Sequence, residues 1–174
     1  AALQARLGRG LAQLPLAFAR GRPSVALHVR RGDLERGNFR ATPDTYYYTW
    51  VERIRRHLPE ADVHVWSSTR LGQWHGKAVP WWNASDFDGY RSRGMQVHLD
   101  SPDLAVVWAH LALAHVFVMA QSSFSFVPAT LNPYCVIFPG AIRRPLDSWL
   151  DGSRKSGSFD AELKGCMARA NGHF

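Results

Sequence analysis

Residues 24–33 read SVALHVRRGD, and this stretch decides the fold. Residues 24–29 are a short, apolar, partly β-branched run of the kind a parallel sheet covered on both faces requires. Side chains alternate along a strand, so Val25, Leu27 and Val29 point one way while Ala26, His28 and Arg30 point the other. His28 and Arg30 therefore emerge together at the carboxyl end, the edge where open α/β sheets bind ligands. Arg31 faces the opposite side, Gly32 lets the backbone turn, and Asp33 returns as an acid close to two guanidiniums. A strand that spends its last residues on His, Arg, Arg and Asp reads as a site.

Downstream, residues 34–41 form a polar loop with Glu35, Arg36, Gly37, Asn38 and Arg40, at a strand end where loops carry specificity and catalysis. Thr42 suits an N-cap, with Pro43 at the first helical position and Asp44 in the first turn. The helix runs to about His57, with Tyr47, Trp50, Val51, Ile54 and Leu58 inward and arginines near its C-terminus. Residues 62–67 are a second strand. Ser67, Ser68 and Thr69 after it suit capping of a following helix, the other reading being contact with a ligand, and 70–77 read as a short polar helix or loop. Trp81, Trp82, Phe87 and Tyr90 suit a small hydrophobic corner; the other reading is stacking on a base or sugar.

Residues 95–99 are a third parallel strand. Ser101 is the expected N-cap of the helix that follows, with Pro102 first and Asp103 second. That helix, 102–114, is apolar on most faces, and His110 on it reads as a satisfied core histidine. Residues 116–119 are the next strand. Gln121, Ser122 and Ser123 then lead into a helix over 124–131, where free N–H groups and two hydroxyls make an anion site. Residues 134–138 are a final strand. Upstream, Leu3, Leu7, Leu11 and Leu14 have the spacing of an amphipathic helix that packs on the sheet.

Strands alternate with helices throughout, which predicts an α/β fold: a doubly wound, mostly parallel, Rossmann-like sheet. We expect one nucleotide-binding, Rossmann-like domain over 1–174, with a weakly patterned tail at 140–174 anchored by Trp149 and Leu150. No G-x-G-x-x-G or Walker sequence is present, so dinucleotide and P-loop readings fall away. Hydrophobic content of 46% with 20% charged residues is that of a globular chain. The apolar stretch 104–120 is broken by His110 and His115 and is no membrane span.

The net charge of +7, carried mostly by arginine, suits a phosphate-bearing partner or simply a solvated basic surface. The basic residues are scattered without an aromatic-basic recognition motif, so nucleic acid is not the favoured partner. Cys135 and Cys166 lie in no C-x-x-C; Cys135 is either a buried hydrophobe or bridged to Cys166 in an oxidising lumen. Asn83-Ala84-Ser85 is a glycosylation sequon, in agreement with a secretory location.

His28-Val29-Arg30-Arg31-Gly32-Asp33 resembles the H-x-R-R-x-D motif of the fucosyltransferase superfamily (the α1,2-, α1,6- and protein O-fucosyltransferases). A second block, AHVFVMAQSSFS at 114–125, resembles that superfamily's later apolar strand followed by N/S-S-x-F-S, and Leu131-Asn132 also fits. The two blocks span residues 24–139. The resemblance implies the donor-binding half of a GT-B glycosyltransferase that inverts configuration, takes GDP-fucose as donor and requires neither a metal nor another cofactor. Its partners would be the nucleotide-sugar donor, a glycan or glycoprotein acceptor, and an N-terminal, acceptor-binding half outside this chain. It also implies the Golgi or ER lumen, as part of a membrane-anchored protein.

By the same resemblance, Arg30 holds the diphosphate and stabilises the departing GDP, while His28 orients the phosphate or Arg30. Ser122 and Ser123 complete the cradle. Asp103 is the acid near the nucleoside, with Asp100 the neighbouring choice. Asp33 and Glu35 are the candidate bases, unless Asp33 is salt-bridged to Arg31. The alternatives are a catalytically inactive Rossmann-like structural or binding subunit and, third, a basic nucleic-acid-associated protein.

Overall fold

In the computed structural model, residues 9–70, 72–74, 77–140, 145–154 and 159–170 are described. The expected strand forms as β1 (Ser24–His28), every residue of it buried. It lies between β2 (Asp62–Ser67) and β6 (Val116–Val118), parallel to both. The short hairpin β3 (Gly72–Trp74) and β4 (Lys77–Val79) stands apart from this sheet. β5 (Gln96–Leu99) pairs with β2, β7 (Cys135–Phe138) with β6, and β8 (Leu150–Asp151) with β7, all parallel. The order β5-β2-β1-β6-β7-β8 reverses direction between β1 and β6. That order and its switch point are those of a Rossmann-like sheet.

Helices cover both faces, as the buried run of β1 requires. Val25, Leu27 and Val29 pack with α1 (Asp44–His57), α2 (Asp88–Arg91) and α5 (Phe159–Ala168) through Trp50, Ile54, Tyr90, Phe159 and Leu163. On the opposite face Ala26, Trp66 and Phe117 meet α3 (Leu104–Leu113) and α4 (Ser123–Leu131) through Val107, Leu111 and Ala129. The stripe Tyr47, Trp50, Val51 and Ile54 is buried as expected. Among the described residues no helix is long and apolar enough to cross a membrane.

Several local expectations are corrected. Pro43, not Thr42, is the N-cap of α1: its backbone is extended and its carbonyl accepts from the Tyr46 N–H at 3.1 Å, while the Thr42 carbonyl accepts from the Arg31 guanidinium at 3.1 Å. Asp103, not Ser101, caps α3, its carboxylate accepting from the N–H groups of Ala105 and Val106. Ser67, Ser68 and Thr69 cap nothing, since the β3–β4 hairpin follows them where 70–77 read as a helix or loop. In the tail, β8 extends the sheet and α5 closes one face, held to β7 by a Cys135–Cys166 disulfide. Of the expected N-terminal helix, Leu3 and Leu7 lie outside the described residues, and only 9–11 are helical before the chain turns irregular.

A buried polar row runs under the α3 face. The His64 ring lies 3.0 Å from Asp62 Oδ2 and 2.9 Å from His98 Nε2, which fixes it between an acid and a second imidazole. His110 accepts from the Ala17 N–H at 2.7 Å and donates to the Val106 carbonyl at 2.7 Å, so both its nitrogens are satisfied, as a core histidine requires. Trp66 stacks on His98 and Phe18 meets His64, Trp66 and His110 edge-on, sealing the row.

Candidate functional site

A cleft of about 380 Å³ opens at the carboxyl ends of β1, β2, β5 and the start of α4, where the strand order reverses. Its lining comes from residues 28–33, from Trp66, Ser67, Ser68 and Arg70, from Asp100 and Ser101, from Leu104 and Val107, and from Ser122, Ser123 and Phe124. Pockets of this size hold small ligands and cofactors. Five of the sequence-predicted residues meet here: His28, Arg30, Asp33, Ser122 and Ser123. Glu35 and Asp103 are exposed and are not among the lining residues; Asp103 spends its carboxylate on capping α3.

Arg30 sends Nε and Nη2 to the two carboxylate oxygens of Asp33, at 3.3 and 2.7 Å. Asp33 is therefore paired with Arg30 and not with Arg31. The strand alternation is the reason: Arg31 turns to the other face, buried, and donates to Asp44 at 2.5 Å. There its guanidinium lies over the Trp82 ring, which Arg36 covers as well. Trp82 also donates to the Leu34 carbonyl at 2.6 Å, so it fastens the loop after β1 instead of facing a ligand. Arg30 Nη1 makes no hydrogen bond to the described residues, and a guanidinium edge of this kind suits a bidentate oxyanion.

Gly32 sits at φ +49 between the two arginines and the acid. A Cβ there would stand 3.2 Å from the Ser68 side chain, so both the turn and the packing call for glycine.

His28 approaches Ser125 Oγ to 2.6 Å through Nδ1 and tilts against the Phe124 ring. Burial, reinforced by Arg30 and opposed by Asp33, drives its pKa down to about 3. The imidazole is neutral at physiological pH and cannot act there as a cation. Across the cleft Ser122 is the N-cap of α4 and accepts from the Phe124 N–H at 3.2 Å. Ser123, the first residue of that helix, is exposed at the cleft wall. The Ser125 N–H is likewise taken, by the Ser122 carbonyl at 3.1 Å, so the helix start offers the Ser123 N–H and the positive end of its dipole toward the side where Arg30 stands.

Two further residues matter: Ser125, which sequence reading quoted only within a motif, and Asp100, the neighbouring choice to Asp103, which the cleft takes in its place. Ser125, fully buried, joins the β1 strand end to α4. Asp100, at φ +54, accepts from Ser68 Oγ, Thr69 N, Thr69 Oγ1 and Arg70 N at 2.6–3.2 Å. Burial raises its pKa, but these donors outweigh that and the net shift is downward. Asp100 locks the loop after β2 to the end of β5, and it lines the cleft where Asp103 does not. The signal available was the run Ser67-Ser68-Thr69, whose hydroxyls wanted an acceptor. Among the described residues no cluster of three or more His, Cys, Asp or Glu side chains is arranged to hold a metal ion. No family model matches the chain, and no curated protein matches it.

Proposed function

We propose that the chain is the donor-binding part of an inverting glycosyltransferase that moves fucose from GDP-fucose to a hydroxyl of a glycan or protein. One observation carries this reading: Arg30, with a free guanidinium edge, and the N-terminus of α4 with Ser122 and Ser123 face one cleft at the β1/β6 switch point. Neutral, anion-seeking donors on one side and a cation on the other suit a diphosphate. In the transfer, the acceptor oxygen bonds to the anomeric carbon and passes its proton to a carboxylate, Asp33 being the candidate base that lines the cleft, as the bond from that carbon to the phosphate oxygen breaks. The electron pair leaves with GDP. Arg30 and the positive N-terminal end of α4 stabilise the charge that gathers there, a task a metal performs elsewhere. Asp33 is the carboxylate of the H-x-R-R-x-D block that lines the cleft, and it holds Arg30 in place.

A nucleotide-binding subunit without catalysis is the second reading. It is favoured by the fact that both carboxylates lining the cleft, Asp33 and Asp100, are already committed to donors within the chain. A secretory lumen fits the Cys135–Cys166 disulfide and the exposed sequon at Asn83. The test is calorimetric titration of GDP, GDP-fucose and UDP into the chain and into Arg30→Ala. Micromolar binding of both guanine nucleotides, lost in the variant, supports the donor site. A folded chain that binds none of the three overturns it.

A further inference from the structure

We infer that Ser125 is a positioning residue that fixes the tautomer of His28, so that the cleft receives a permanent Nε2–H donor. Ser125 lies in the first turn of α4 and is fully buried. Its Oγ accepts from the Ala120 N–H at 3.2 Å and stands 2.6 Å from His28 Nδ1. A serine hydroxyl has one proton to give. With the Ala120 N–H pointing in, the contact left for that proton is His28 Nδ1, which must then be the bare nitrogen of the ring. The opposite tautomer would aim Nδ1–H at Oγ and leave the hydroxyl proton of a fully buried serine without this acceptor, the costly arrangement for a buried donor.

The ring proton of neutral His28 therefore sits on Nε2, which has no partner within the described residues of the chain, while the residue itself lines the cleft. The charged groups that act on the ring are Arg30, which opposes protonation, and Asp33, which favours it, and burial settles the matter toward the neutral form. The cleft thus carries a fixed, uncharged donor beside a cation. Such a donor selects ligand atoms with a lone pair (a phosphate or glycosidic oxygen, an unprotonated ring nitrogen) and rejects an N–H or O–H that has nowhere else to point. Coupled to the diphosphate reading, Nε2–H would meet a phosphate oxygen next to those held by Arg30.

The tautomer does not depend on what fills the cleft, so it can be read without any nucleotide. In the chain labelled with 15N-histidine, long-range nitrogen–proton spectra should show His28, identified by its loss in His28→Gln, as the Nε2–H form. In Ser125→Ala the His28 signals should move toward a mixture of tautomers, and Ser125→Thr, which keeps a hydroxyl, should restore the original pattern. GDP affinity should fall by about two- to tenfold in Ser125→Ala, the worth of one neutral hydrogen bond. A proton on Nδ1 in the unmodified chain overturns the inference whatever the variants do. A folded Ser125→Ala with unchanged His28 spectra overturns it as well. Correct spectra without any GDP binding would leave the tautomer standing and remove only the diphosphate reading.

Discussion

Arg30 and Asp33, three residues apart, are clasped fork to fork at the mouth of the cleft, with Nη2 and Oδ2 2.7 Å apart. The acid that holds the arginine in position also repels any anion the arginine would bind.

Asp33→Asn keeps an oxygen for the guanidinium and deletes the negative charge. GDP should therefore bind more tightly to this variant, by about 1 kcal/mol or roughly fivefold, the effect of one charge about 4 Å away in water. Calorimetry on both forms checks this, and unchanged affinity would mean the anion does not lie beside the pair. Thermal stability should stay close to that of the parent, because Asp33 is 65% exposed.

The neighbouring pair behaves oppositely. Arg31 is only 4% exposed and relies on Asp44, which also accepts from the Tyr90 hydroxyl. Asp44→Ala leaves that guanidinium buried without its counter-ion and should cost about 3 kcal/mol. The matching fall in melting temperature is roughly 6–12 °C for a domain of this size. Denaturant titration of the variant gives the number directly, and a loss below a tenth of the expected value would remove Arg31 from the set of fold-supporting residues.

Acid should unfold the chain through its histidines. Burial lowers His28 to about 3 and His98 to about 4, and lowers His64 and His110 as well. The unfolded chain titrates its histidines near the ordinary value of about 6.5. Between the two values the unfolded state binds more protons, so stability is complete above the upper value and falls as pH descends toward the lower. His28 alone contributes a slope of up to about 1.4 kcal/mol per pH unit across that window. Melting curves from pH 7 to 4 should show a progressive decline, shallower in His28→Gln.

Reduction is the fourth test. The disulfide closes a loop of 31 residues between β7 and α5. A loop of that length contributes about 3–4 kcal/mol by constraining the unfolded chain. A reductant, or Cys166→Ser, should lower the unfolding midpoint accordingly while nucleotide binding at the opposite flank of the sheet persists.

How much of this was legible beforehand depended on length and local chemistry. The central strands announced themselves because Ser24–His28 and Val116–Val118 are buried on both faces and read as continuous apolar runs. Arg30 and His28 followed from simple alternation, and so did the departure of Arg31 to the other face. The partner of Asp33 did not follow, because it depends on how the Gly32 turn folds the chain back. β8 has two residues and β3 and β4 three each, too few for any period to appear. Asp100 and Asp103 flank the same Ser-Pro pair, and only the backbone at Asp100, turned to positive φ, sends its carboxylate toward the cleft and leaves Asp103 to cap the helix. Ser125 was quoted within a motif, but nothing in sequence says that residues 97 apart will share a proton.

The link from Cys135 to Cys166 also changes the connectivity of the molecule. A protease that cuts once between these two positions, for instance among the exposed residues 145–148, severs the backbone without releasing a fragment. The nicked product would still run as one species until the sulfur bridge is opened. A single cut there thus leaves α5 tethered to the sheet, and the chain survives in one piece a lesion that would divide an unbridged protein.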